Sequence, residues 1–291
     1  MTWVVKYVFS SMLWRGIVAV VVFLALWEIG ARSKEWIGAD VFAPLRALIA
    51  LGGFKPTYLP WIGAVPPPSD VAKVWVGLLT DLSYWHSWYM SFVRVMSGFI
   101  AAMIVGIPFG LLLAVSRTAF GIAFPVFEVL RPIPPLAWVP ASIIFWPTQE
   151  MSIAFVTFLG AVYTIVINVI GGAKSIDVRY FQAAQSMGSS KWDIFRRIIL
   201  PGTLPSIAVG LAVGMGITWE VVVAAEMISG GGSQAGSTHG GGLGFLIWNS
   251  FIGSAYEQIV IGMISIGIAG YLSSVMLRVL GKWSTPWLRL R

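Results

Sequence analysis

Cysteine is missing from all 291 residues. That excludes disulfide scaffolds, thiolate zinc sites and cysteine-ligated iron–sulfur clusters. Charge is nearly as scarce: 11% of residues are Asp, Glu, Lys or Arg, against about 25% in soluble domains, so a soluble globular enzyme is a poor description. Histidine occurs twice, at His86 and His239, and neither has a second ligand at metal spacing, so no metal is expected. There is no GxxxxGK[ST] phosphate loop. Gly230-Gly231-Gly232 runs into Ser233-Gln234-Ala235 with no lysine, and the chain is not expected to hydrolyse ATP by itself. No nucleophile–base set or carboxylate pair points to a catalytic centre.

What fills the chain instead is apolar sequence, 57% of residues with a mean hydropathy of +0.83. The expected class is all-α: a polytopic membrane protein with about six transmembrane helices. A first span is centred on Gly16 to Trp27 and extended to about 11–31, read as retained rather than cleaved as a signal peptide. The second is Val95 to Val115, uncharged throughout, with Gly98, Gly106 and Gly110 placed for close helix packing. Phe120 to Trp146 is interrupted by Glu128, Arg131 and the Pro132-Ile133-Pro134-Pro135 cluster. A short helix is expected to end near Leu130 and a third span to begin after Pro132. Such a break is tolerated only against protein or a water-filled path, and a path-lining break and a plain kink both remain open. A fourth span is Met151 to Ala173. The fifth begins at Ile198, passes Trp219 and Glu220 and ends at Glu226, with Gly210 and Gly214 allowing a close neighbour; the sixth is Ile259 to Leu277.

Between these runs, 32–90 reads as an extramembrane segment with amphipathic helices, one over Val41 to Leu51 and one capped by Ser69. Ser229 to Gly244 reads as a flexible loop. The organisation expected is 1–31, a cytoplasmic start and first span; 32–90, outside; 91–280, the membrane core; and 281–291, a basic cytoplasmic tail. Thirteen of the nineteen Lys and Arg fall on the side that receives both termini. By the positive-inside rule that side is cytoplasmic. Dispersed this way, the basic residues report topology and make no nucleic-acid groove.

Ionisable residues at membrane depth carry a default expectation of function. Glu220 is expected deep in the fifth span, as an interhelical latch or gate more than a substrate contact. Glu226 is expected near the outer interface within reach of water. Trp219, Trp138 and Trp146 either line a path or simply pack.

One charged island stands apart, Ser175 to Pro205. Gln182 to Ile199 reads as a helix closed by Pro201. A structured polar segment between two spans calls for a docking partner. Gln182-Ala183-Ala184, then Gly188, then Ile198-Ile199-Leu200-Pro201 closely resembles the E-A-A-x3-G-x9-I-x-L-P loop of ABC importer permeases, with Gln182 in place of the leading Glu. The resemblance implies the importer-permease (MetI-like) fold. It also implies a coupling helix that docks on an ATPase through Gln182, Ala183, Ala184, Gly188, Lys191, Trp192, Leu200 and Pro201. It extends over about 65–280. Val65 to Val71, Ser91 to Phe99, Leu130 to Trp138 (with Arg131, Pro134 and Pro135), Trp219 to Met227 and Gly242 to Trp248 look like the branch that imports nitrate, bicarbonate, cyanate, taurine and alkanesulfonates. Nitrate leads, although 231–241 is longer than usual there and Asn249-Ser250 replaces Asp-Ala.

The resemblance further implies a second permease copy or paralogue, two cytoplasmic ATP-binding subunits that hold ATP and magnesium, and a periplasmic or lipid-anchored solute-binding protein. The setting implied is a bacterial inner membrane, with both termini cytoplasmic. An ion-coupled secondary transporter is the competing class. It would need internal repeats, and none is evident.

Overall fold

A computed structural model describes residues 2–37, 65–228 and 241–287, with isolated positions 44, 47 and 51. Among the described residues every regular element is helical and no strand occurs. Most of the expected amphipathic helix over 41–51 and of the expected flexible loop over 229–244, His239 included, lies outside the described residues. Two compact units are distinguished, 1–81 with 250–261, and 82–249 with 262–291.

In the first unit, α1 runs Thr2–Ile37 and includes a membrane-length apolar stretch, Trp14–Ser33. Trp14, Ile17, Val20 and Phe23 are exposed along it, as suits a helix whose solvent is lipid. Helix α2 is Pro68–Leu78. Ser69 was expected to cap it but does not. Pro67 is the extended N-cap residue, and Pro68 occupies the first turn, where its missing N–H costs nothing. Ser69 instead donates its N–H (3.1 Å) and its hydroxyl (2.9 Å) to the Glu28 carboxylate, which also accepts from Arg32 at 2.7 Å. A carboxylate from α1 thus satisfies one of the orphan donors at the start of α2.

The second unit begins with α3, Leu82–Val115, thirteen residues earlier than the uncharged run. It continues with α4 (Arg117–Leu130), a 3-10 turn (Pro135–Trp138), α5 (Val139–Phe145), α6 (Gln149–Lys174), α7 (Val178–Ser186) and α8 (Lys191–Ile194). A π-helical turn at Phe195–Ile199 joins α8 to α9, Leu200–Ile228. Helices α10 (Leu243–Ile252) and α11 (Tyr256–Ser284) follow, with 250–261 grouped in the first unit.

Helix α6 is the hub, with 61% of its most apolar stretch buried against 39% for α3. Small residues decide who touches it. A Cβ on Gly98 would lie 2.0 Å from Thr157 Oγ1, and one on Gly110 would lie 2.8 Å from Val169. Glycine 98 therefore meets 154–158 and Gly110 meets 166–169, so α3 and α6 run parallel. A Cβ on Gly210 would lie 2.8 Å from Asn168 and one on Gly172 would collide with Ser206, so α9 is antiparallel to α6. Helix α11 reverses again, with Gly281 against Ala208 and Trp219 bonded to Ser273 at 3.1 Å.

Parallel neighbours require a connection that returns across the membrane, and 117–145 supplies it. Lys174 lies 4.0 Å over the Phe120 ring, Phe127 packs on Tyr163 at 5.3 Å, and Trp138 and Trp146 pack on Phe155 at 6.5 and 5.8 Å. The segment therefore runs antiparallel to α6 along its whole length. It is bent by 87° at the break between Leu130 and Pro135. The short helix does end at Leu130, but no full span starts after Pro132. Both arms share one crossing, and Arg131 sits at the break instead of at the cytoplasmic edge. Five straight spans and this broken one make six among the described residues.

The expected helix over Gln182 to Ile199 is likewise two helices, and Pro201 and Pro205 do not separate the island from its span. Proline at 201 has no N–H and would collide with the Arg197 carbonyl in a regular helix. The π-helical turn at Phe195–Ile199 absorbs that misfit, and the helix continues from Lys191 to Ile228.

Candidate functional site

The charged island folds as a two-helix joint. Asp177 accepts from the Arg179 N–H at 2.9 Å and starts α7. The helix ends in a Schellman turn, with the Ser189 N–H on the Ala184 carbonyl (3.0 Å) and the Gly188 N–H on that of Gln185 (2.9 Å). That turn needs a left-handed residue, and Gly188 has φ +76° with open space around it. Its glycine is dictated by backbone conformation, not by crowding. Ser190 then caps α8, its hydroxyl accepting from the Asp193 N–H at 3.1 Å. Ala184 and Ile194 turn inward, while Gln182, Ala183 and Lys191 are exposed and Leu200 and Pro201 are half-buried. Tyr180, Met187 and Trp192 are 59%, 78% and 65% exposed. A polar segment displaying three large apolar side chains has the composition of an interface.

At the other end of α6 lies an ion-pair node. Arg94 (α3) is 2% exposed and Glu226 (α9) fully buried. The guanidinium donates to Glu226 at 3.0 Å and, through two nitrogens, to Glu150 at the start of α6 (2.8 and 2.5 Å). Glu226 also accepts from the Ser91 hydroxyl at 2.9 Å and the Gly244 N–H at 2.9 Å, and Ser91 accepts from the Leu243 N–H at 2.8 Å. Four helices are tied by one carboxylate and one guanidinium. A Cβ at Gly242 would sit 2.0 Å from Glu226 Oε1 and one at Gly244 2.3 Å from the Val223 carbonyl, so only glycine lets the start of α10 approach. The expectation that Glu226 meets water is overturned, because protein encloses it on every side. Arg94, Ser91 and Glu150 were missed. The signal was an arginine abutting the second uncharged run with a carboxylate interrupting the fifth.

The third feature is the break. Arg131 donates to Glu128 at 3.2 Å, and both side chains are about half exposed, so the pair is not buried. Beside it opens a cavity of about 350 Å³ between the break, α6 and α9.

The chain matches the family model described as "Binding-protein-dependent transport system inner membrane component" over residues 106–290. It is 33% identical to the nitrate import permease protein NrtB of Synechocystis sp. over 92% of this chain and 87% of that one. The chain belongs to this family of ABC importer permeases. It is also 32% identical to the taurine transport system permease protein TauC of Escherichia coli, over 77% of this chain and 80% of that one. Two solved importers share the permease fold. One is the inward-facing MetNI methionine transporter (TM-score 0.52, 21% identity, 74% of this chain and 98% of that one). The other is a bacterial alginate importer (TM-score 0.55, 16% identity, 93% and 98%).

In this multi-pass permease the remaining sequence candidates separate cleanly. Trp219 is buried, its indole donating to Ser273 on α11, and packs instead of lining a path. Glu220 is exposed on α9 about 9 Å further into the helix than Glu226. Pro135 lines the cavity, Pro134 is exposed beside it, and Trp138 is half-buried with its indole N–H unpaired among the described residues.

Proposed function

We propose that this permease is the membrane subunit of an ATP-driven importer of a small anion, nitrate first, with taurine or alkanesulfonates and then bicarbonate or cyanate as the alternatives within the class. The observation that carries the substrate reading is the similarity to a nitrate permease along 92% of the chain. For the energy source, support comes from the exposed joint at 178–194, whose apolar Tyr180, Met187 and Trp192 offer a docking face to a cytoplasmic ATP-binding subunit. ATP and magnesium would reside in two such subunits, with a second permease copy or paralogue completing the path and an external solute-binding protein delivering the ligand. Closure of the ATPase pair would move the joints together. The uninterrupted helix from Lys191 to Ile228 would carry that motion outward, giving alternating access by rigid rearrangement.

The test is the complex reconstituted in vesicles with its ATPases and binding protein. ATP-dependent nitrate uptake, with hydrolysis stimulated by the nitrate-loaded binding protein, is the expected result. Uptake of a sulfonate but not nitrate would reassign the substrate. Uptake that persists without the ATPase subunits would overturn the importer mechanism in favour of an ion-coupled transporter.

A further inference from the structure

We infer that the cavity at the break in the 117–145 span is an anion subsite on the conduction route, lined for recognition by Arg131, Tyr163 and Thr164. This rests on the importer reading above and gives it a place in the chain.

The cavity, about 350 Å³, is bounded by Arg131 and Pro135 at the break, by Tyr163, Thr164 and Asn168 on α6, and by Ile217 on α9. Its volume is at the low end for small-molecule sites, which span about 300–1,000 Å³. The α6 residues around it fall in the middle of that 26-residue helix, so the cavity lies near half-depth in the membrane. Hydroxyls and a guanidinium at that depth are costly unless they face water or a ligand. Irregular backbone at that depth is tolerated on the same condition.

The donors are available. Among the described residues the Tyr163 and Thr164 hydroxyls make no hydrogen bond to protein, while the Asn168 amide spends one of its two N–H donors on the Thr164 carbonyl at 2.8 Å. Arg131 spends one nitrogen on Glu128 at 3.2 Å, and a guanidinium offers five N–H donors. Two hydroxyls and a partly free planar cation suit a small oxyanion: nitrate, bicarbonate or a sulfonate headgroup.

The experiment uses the complete reconstituted complex and counts anion moved per ATP hydrolysed, with nitrate, taurine and bicarbonate as the probes. Arg131→Gln should lower that ratio about tenfold, and Tyr163→Phe and Thr164→Val about threefold each. Arg131→Lys should recover more than half of the ratio, which separates loss of charge from loss of fold. Glu128→Gln should leave the ratio within about twofold. Wild-type transport by Arg131→Gln would overturn the subsite. So would an equal loss in Glu128→Gln, because the ion pair and not the anion contact would then be what matters. If the wild-type complex moves none of the three anions, the importer reading itself fails, which is a different result from either.

Discussion

Arg94 and Glu226 decide more about this molecule than any other two side chains. Taking both out of water is expensive, and their pairing is supported by further hydrogen bonds: Ser91 and Gly244 donate to Glu226, and Arg94 donates to Glu150 through two nitrogens. Removing Arg94 strands a fully buried carboxylate, at a cost of about 3–5 kcal/mol. Removing Glu226 leaves the buried guanidinium with only the half-exposed Glu150 and deprives the Ser91 and Gly244 donors of their acceptor. Glu226→Ala should therefore lower the thermal midpoint of the purified permease sharply. Glu150→Ala, which removes a carboxylate 55% exposed, should cost only about 0–1 kcal/mol. A melting series by intrinsic tryptophan fluorescence compares them directly, and equal shifts for the two variants would contradict the node. Residue-scale reading of the sequence recognised that a carboxylate at 226 was unusual. It could not find the partner, because Arg94 lies 132 residues away and looks, in one dimension, like the last charge of an external segment.

At the scale of elements, the small-residue frame of the island turns out to be a stop and a restart. The spacing from Ala184 to Gly188 is that of a Schellman turn, so the sequence motif is legible as geometry once the left-handed φ is known. The periodicity of apolar residues reads through the turn, which is why one helix was expected where two exist. A residue with a Cβ at φ +76° is strained by about 1–2 kcal/mol, and relief comes by extending α7 and swinging α8. Gly188→Ala should therefore lower the ATPase stimulation produced by the loaded binding protein several-fold, while detergent-solubilised permease unfolds at nearly the wild-type temperature. Stimulation unchanged in Gly188→Ala would mean that the joint's angle does not matter to coupling. Proline misled in the opposite direction. Pro201 looked like a terminator, yet a single π-helical turn absorbs the lost hydrogen bond, and the helix continues into the membrane.

Across the whole molecule, uncharged runs and basic-residue counts were enough to read about six spans, because hydropathy is a property of composition that survives projection onto a line. Which helices pack together was not legible: six alternating spans already make α3 and α6 parallel, but that they are neighbours follows only from which glycine meets which side chain. It has a topological consequence. About 31 Å of helix rise separates Arg94 from Val115, close to the thickness of a hydrocarbon core, about 30 Å. Arg94 holds Glu150 at the start of α6, so Val115 and Glu150 must lie at opposite membrane faces and 117–145 must cross between them. A re-entrant loop would instead return both ends to one face. The native absence of cysteine makes the question directly measurable with single introduced thiols. Thr118→Cys and Pro147→Cys place one at each exposed end of the broken span. In intact cells a membrane-impermeant maleimide should label the Pro147→Cys variant from outside and reach the Thr118→Cys variant only after the membrane is opened, on the expectation from the positive-inside rule that the face carrying twelve of the nineteen Lys and Arg, with Arg131 set aside at the break, is cytoplasmic. Labelling of both variants from one side would rule out the crossing, and with it the mid-membrane position of Arg131.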